Sequence, residues 1–131
     1  MNFVESLDAN RQTKSKAQED REVGLMLSTI RSEVEAEHRK GSRSLCGAFY
    51  GYYYDDMTFF WRNGERVQGV GISGTERMFK TMTEELTNMG FTGIKIYNGP
   101  LQFYKPSESA FFSHRLIKDK IYNTIFIELN W

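Results

Sequence analysis

Cysteine occurs once, as Cys46, so the chain has no internal disulfide and no cysteine-based zinc cluster. Long apolar runs are missing as well: none approaches the roughly 18 residues a membrane helix needs. Glu5 and Asp8 near the start argue against a secretory signal, so a cytosolic (cytoplasmic) protein without membrane contact is expected. An excess of one charge is also absent, with 17 Lys and Arg against 17 Asp and Glu. The balance holds in both parts, at 7 basic and 8 acidic residues in the first 42 and 10 and 9 in the remainder. Non-specific nucleic-acid binding rests on phosphate neutralisation, and a DNA mimic needs a strong acid excess. A neutral chain favours neither. Aromatic residues are scarce at one end only: of ten Phe, seven Tyr and two Trp, all but Phe3 lie after Arg43. Aromatic side chains bury the most area per residue, so the core and any adhesive surface both belong to the second part.

The chain's 131 residues suffice for one core. Residues 1–18 read as a flexible or frayed N-terminal arm and residues 19–131 as a single domain. Val23, Met26, Leu27, Ile30 and Val34 recur at three and four, which predicts an amphipathic helix over 19–40 that stops at Gly41. Strand formers then fill residues 45–54. Residues 57–62 and 65–72 flank Asn63-Gly64, a hairpin signal that pairs Arg62 with Glu65, Trp61 with Arg66 and Phe60 with Val67. With Asp55-Asp56 as the preceding turn, Tyr50, Tyr52 and Tyr54 share a face with Met57, Phe59 and Trp61. Gly47, Phe49, Gly51, Phe60, Val67 and Gly69 take the opposite face.

Ser73-x-x-Glu76 reads as a capping box for a helix whose stripe is Met78, Phe79, Met82, Leu86 and Met89, closed by Gly90. Residues 92–97 and 101–104 flank Asn98-Gly99, a second hairpin with Pro100 confined to an edge. Residues 107–122 admit either a helix through Lys118 or a strand over 111–117 turning at Asp119-Lys120. Alternation over 124–130 predicts a final strand. The expected fold is therefore α+β: an N-terminal helix, an antiparallel sheet built of β-hairpins, and one central helix packed on the sheet.

Few residues offer chemistry. Gly69-x-Gly71-x-x-Gly74 follows a predicted strand and opens a predicted helix, as a dinucleotide fingerprint would. Asn98 stands where the ribose-binding acid belongs, Glu76 would repel a pyrophosphate, and too little chain follows for a second nucleotide-binding half. Close packing of helix on sheet asks for the same glycines, and no cofactor is expected. Cys46 and His114 are the one thiol–imidazole pair, but a buried structural cysteine is the expectation. His38 beside Glu35 and Glu37 reads as a solvated helix flank rather than a metal ligand. No catalytic residue and no enzyme are expected.

The aromatic cluster carries more. Gly47-Ala-Phe-Tyr-Gly-Tyr is distantly similar to an RNA-recognition strand, though Cys46 stands where a basic residue should lead. The helix–three-strand–helix order over 19–89 resembles a double-stranded RNA-binding module without its lysine cluster at Thr75-Glu76-Arg77. Tyr, Trp and Arg are equally the residues of protein interfaces. The leading expectation is a non-enzymatic protein-binding module using Tyr50, Tyr52, Tyr54, Phe59, Trp61, Arg62 and Arg66. A protein partner is expected, and a homodimer is a further option. The alternatives are an RNA or single-strand nucleic-acid module using these rings with Arg43, Arg62 and Arg66, and a small-ligand or nucleotide protein built on residues 69–74. Whether the Tyr/Trp face is core or interface stays open at this level.

A charged helix ending in glycine, a later helix closing as Leu86-x-x-x-Gly90-Phe91, and an apolar strand ending in Trp131 together resemble many short phage and prophage proteins, over residues 30–131. That resemblance implies a modulator that binds and sterically occludes a host or defence complex, as anti-CRISPR proteins do, or an accessory virion part. The neutral charge departs from the DNA-mimicking type.

Overall fold

Ser15 starts the first helix, its hydroxyl accepting the Gln18 N–H, in a computed structural model that describes residues 14–52, 55–108 and 115–131, the side chains of Asp55 and Asp56 excepted. Chain order is α1 (Lys16–Arg39), β1 (Ser44–Tyr52), β2 (Asp55–Trp61), β3 (Val70–Gly71), α2 (Glu76–Asn88), β4 (Gly93–Pro106) and β5 (Leu116–Asn130). This is an α+β fold, with two helices and a five-stranded sheet of order β2-β1-β5-β4 in which β3 also pairs with β1. Every strand pair is antiparallel. Helix α1 begins three residues earlier than its apolar stripe predicts, because the cap and not the stripe sets the start. Gly41, at φ +89°, ends it as expected.

The second helix corrects the expected cap. Thr75 is the N-cap and accepts the Met78 N–H at 3.3 Å, while Ser73 donates its hydroxyl to the Asn123 carbonyl of β5 at 2.9 Å. A capping box at Ser73 would forfeit that tie to the sheet. The stripe itself is as expected, with Met78, Met82 and Leu86 buried and Gly90 at φ +99° closing the helix.

Both predicted Asn-Gly hairpins need correction. At Asn63-Gly64 the chain does turn, with Gly64 at φ +93° and the Glu65 N–H bonded to the Arg62 carbonyl at 3.1 Å. Residues 65–69 then leave β2 instead of pairing with it. The Trp61 indole donates to the Glu65 carbonyl at 2.8 Å, and Val67 forms a bridge to Phe103, where the Tyr104 N–H reaches the Val67 carbonyl at 2.9 Å. Burying Val67 beside Ala48, Leu101 and Phe103 outweighs the expected Trp61–Arg66 and Phe60–Val67 pairs.

At Asn98-Gly99 there is no turn. Both residues and Pro100 run inside the 14-residue β4, opposite Ile125, Thr124 and Asn123. The Asn98 amide is held in both directions by Gly74, accepting its N–H at 2.8 Å and donating to its carbonyl at 2.9 Å. Since β4 ends the sheet order, Pro100 does lie on an edge strand. Residues 109–114 lie outside the described residues, and where the chain is described again neither a helix through Lys118 nor a turn at Asp119-Lys120 is found. Strand β5 starts at Leu116 and passes through Asp119-Lys120 without turning, one extra residue being absorbed between the Gln102–Ile121 and Tyr104–Lys118 pairs. The Gln102 amide fills that irregularity by donating to the Asp119 and Phe103 carbonyls.

Two cores result. One sheet face packs Leu45, Phe49, Ile125, Ile127 and Leu129 against the stripes of α1 and α2. The other encloses Ala48, Val67, Leu101 and Phe103, flanked by Tyr50, Trp61, Tyr122 and Phe126. Because the segment leaving β2 bonds to β4 at the far edge, the sheet curls around this second core. Between the cores β1 and β5 part, and β3 wedges in. There the Thr124 hydroxyl, fully buried, donates to the Phe49 carbonyl and accepts the Ile72 N–H at 2.8 Å.

Candidate partner-binding face

The register Ala48–Trp61, Phe49–Phe60 and Tyr50–Phe59 puts Tyr50, Phe59 and Trp61 on one face and Phe49 and Phe60 on the other, as the alternation predicts. Tyr50 stacks on Phe59 with centroids 5.6 Å apart, and Tyr52 lies 5.6 Å from Phe59 on its other side. Tyr50 also meets Phe103 edge-on at 6.2 Å, and Trp61 meets Phe126 edge-on at 6.1 Å. Tyr50 and Trp61 are therefore half-buried flanks of the second core. Burial, reinforced by the charge of Glu65 and then by Tyr52, pushes the Tyr50 phenol above its ordinary pKa. Tyr52 differs: it is 50 % exposed, and Met57 close by is 54 % exposed.

The two predicted arginines sit elsewhere. Arg62 donates to Glu33 and Glu37, one turn apart on α1, and so clamps the helix to the end of β2. The hydrogen bond from Arg62 holds the Glu37 carboxyl below the usual carboxylate range, despite some desolvation. The bond to Glu33, followed by that to Glu37, raises Arg62 in turn. Arg66 lies over the Tyr104 ring, 5.5 Å from its centroid. Tyr54 lies outside the described residues. Of the predicted set, Tyr50, Tyr52 and Phe59 form one aromatic network, Trp61 packs separately on Phe126, and Arg62 and Arg66 serve other places.

Tyr52 and Met57 also form one lip of a cleft of about 380 Å³, with Ile72 from the sheet side and Lys14, Gln18 and Glu22 from the start of α1. Lys14 crosses its mouth, bonding to the Glu22 carboxylate and to the Ser73 carbonyl. Sequence reasoning placed Met57 on the right face without counting it as a contact. The signal was available, since Met57 follows Asp55-Asp56 directly and stands at the strand end, where cover runs out.

The glycine motif is consumed by packing. A side chain on Gly69, at φ +145°, would collide with the Gly51 carbonyl, and one on Gly71 would come within 2.6 Å of the Asn123 carbonyl. One on Gly74 would strike the Phe79 ring. Close packing of strand and helix thus accounts for these glycines.

Cys46 is exposed rather than buried, a correction that follows from where the second core stops. On that face the core begins at Ala48, and the residue opposite Cys46 is Glu128, itself paired with Lys95 at 3.5 Å. Partial desolvation, then the Glu128 charge, push the thiol pKa up. His114 lies outside the described residues. His38 accepts the Trp131 indole N–H on Nδ1 at 3.1 Å. Among the described residues no group of three or more His, Cys, Asp or Glu gathers as metal ligands would, and no helix is long and apolar enough to cross a membrane.

Comparison of the chain with protein-family models, with curated proteins and with solved structures finds no match.

Proposed function

We propose that the protein is a non-enzymatic protein-binding module whose contact is built on Tyr52, Met57 and Phe59. The observation that carries this reading is the pair of large apolar side chains half out of water at one cleft lip. Exposed apolar groups gathered beside a cleft mark interaction surfaces far more than scattered ones do. Phe59 backs Tyr52, and Tyr50 backs Phe59 in turn, so the contact is held rigid before a partner arrives. The outer side of β2 lends support: it ends the sheet order, and among the described residues β1 is the strand that pairs with it. An extended partner segment would add to that edge and seat a side chain in the cleft, which would lock or sterically occlude the partner.

Nucleic-acid stacking on the same rings is less favoured, because Tyr50 and Phe59 already stack on each other and a base needs a free ring face. The likeness to phage-encoded proteins adds nothing to this contact, and the reading does not lean on it.

The test uses the full chain as bait in an extract of its native source, beside a Tyr52→Ala, Met57→Ala double variant. Both positions are substantially exposed, and the main loss is the Tyr52–Phe59 ring contact, about 0.5–1.5 kcal/mol. Capture of a partner is expected to fall at least about tenfold while the melting transition stays cooperative and shifts by only a few degrees. Equal capture by a stable double variant would refute this contact.

A further inference from the structure

The far half of the β4–β5 hairpin, residues 101–106 with 116–122, presents an outer face that neither core uses. Leu101, Phe103 and Tyr122 point into the second core. By strand alternation Gln102, Tyr104 and Ile121 point the other way, on the side where the helices pack. The helix-side core takes only Ile94 and Ile96 from β4 and Ile125, Ile127 and Leu129 from β5, so it ends before this part of the ribbon. Ile121, opposite Gln102, is 65 % exposed, the most of any large apolar residue described. Lys118 stands directly opposite Tyr104. Val67, one residue after Arg66, is buried and bonded to the β4 edge, which turns Arg66 outward over the Tyr104 ring.

Charge is segregated here in a chain that is neutral as a whole. By the same alternation Lys105, opposite Ile117, lies on the other face, and the charge of this face comes from Lys118 and Arg66, both basic. Lys118 and Arg66 are both exposed. A second copy offers no matching acid excess on its long helix, since residues 14–40 contain six basic and six acidic groups. A phosphate backbone would answer the charge but would leave Ile121 and the Tyr104 edge against a polar surface. We infer that this face binds an acidic protein segment carrying an apolar side chain between its carboxylates. Lys118 and Arg66 meet the carboxylates, and Ile121 with Tyr104 meets the apolar group. This rests on the protein-binding reading above and adds a second contact to it.

The experiment follows backbone amide shifts of the full-length ¹⁵N-labelled chain during titration with a short synthetic peptide of alternating Glu and Leu. A Lys–Leu peptide, an oligothymidylate and phosphatidylserine vesicles form parallel arms. The expected result is saturable shifts at Arg66, Tyr104, Lys118 and Ile121 with the Glu–Leu peptide alone. Affinity should weaken at least about tenfold in a Lys118→Glu, Arg66→Glu variant and severalfold in Ile121→Ser. Shifts confined to other residues, absence of shifts, tighter binding of the oligonucleotide or vesicles, or unchanged affinity in the charge-reversed variant would each overturn it. Should the peptide fail here while Tyr52→Ala, Met57→Ala still loses the captured partner, the ribbon contact falls and the protein-binding reading stands. The reverse pattern would remove the cleft contact and leave the ribbon.

Discussion

At the scale of single residues, Thr124 shows how one hydroxyl can hold a join. Strands β1 and β5 pair from Ser44–Asn130 to Ala48–Phe126 and then separate, which would strand the Phe49 carbonyl and the Ile72 N–H in an apolar interior. The Thr124 hydroxyl serves both, as donor to one and acceptor from the other. Threonine fits because it is β-branched, as a strand favours, yet carries the polar atom the gap needs. Thr124→Val keeps the shape and removes the bond, leaving buried groups without partners. That should cost about 1–3 kcal/mol, measurable as a lower urea midpoint at unchanged slope. Thr124→Ser restores the hydroxyl and is expected to recover much of the loss; a valine variant as stable as the parent would show that the join is held otherwise.

At the scale of elements, what was legible in the sequence was what its own neighbours decide. Both helices were readable because a 3.6-residue stripe and a positive-φ glycine stop are local. The Tyr/Trp and Phe faces of β1 and β2 were readable from alternation. The two Asn-Gly dipeptides show the limit. Asn63-Gly64 turns and Asn98-Gly99 does not, and the difference lies in Gly74, 24 residues away, whose backbone holds the Asn98 side chain. The site was half legible for a similar reason: alternation placed the rings on one face, but their cover comes from Phe103, Tyr122 and Phe126, brought there by the pairing of β4 with β5. The clamp between α1 and β2 was likewise hidden, because Glu33 and Glu37 look like an ordinary solvated flank until Arg62 is brought to them.

That clamp predicts an acid response. The folded-state pKa of Glu37 is lowered, so its contribution is full above the free-glutamate value of about 4.3 and is lost as pH falls through the folded value. Melting temperature should therefore drop more steeply from pH 5 to about pH 3 in the parent than in Glu37→Gln. The effect should be modest, since the pair is partly solvated; parallel slopes would show that the clamp adds nothing.

At the scale of the whole molecule, the two cores share their strands and cannot part along a plane. Alternate residues of β1 serve different cores, Leu45 and Phe49 the helix side and Ala48 and Tyr50 the other, and β5 does the same with Ile127 and Phe126. Each tryptophan sits against one of them: Trp131 packs on Phe91 at the rim of the helix-side core, and Trp61 packs on Phe126 beside the second. Variants retaining only one tryptophan, Trp131→Phe or Trp61→Phe, therefore report the cores separately. If the shared strands couple them, the two fluorescence transitions and the loss of far-ultraviolet ellipticity will coincide in urea. Phe103→Ala, fully buried in the second core, should cost about 3–5 kcal/mol of a total near 5–15 kcal/mol. In a coupled molecule that loss shifts the Trp131 signal as far as the Trp61 signal, although Trp131 touches only the other core. A Trp61 transition that moves alone would mean that the curled ribbon and its core form a separate folding unit, able to open while the helices stay docked.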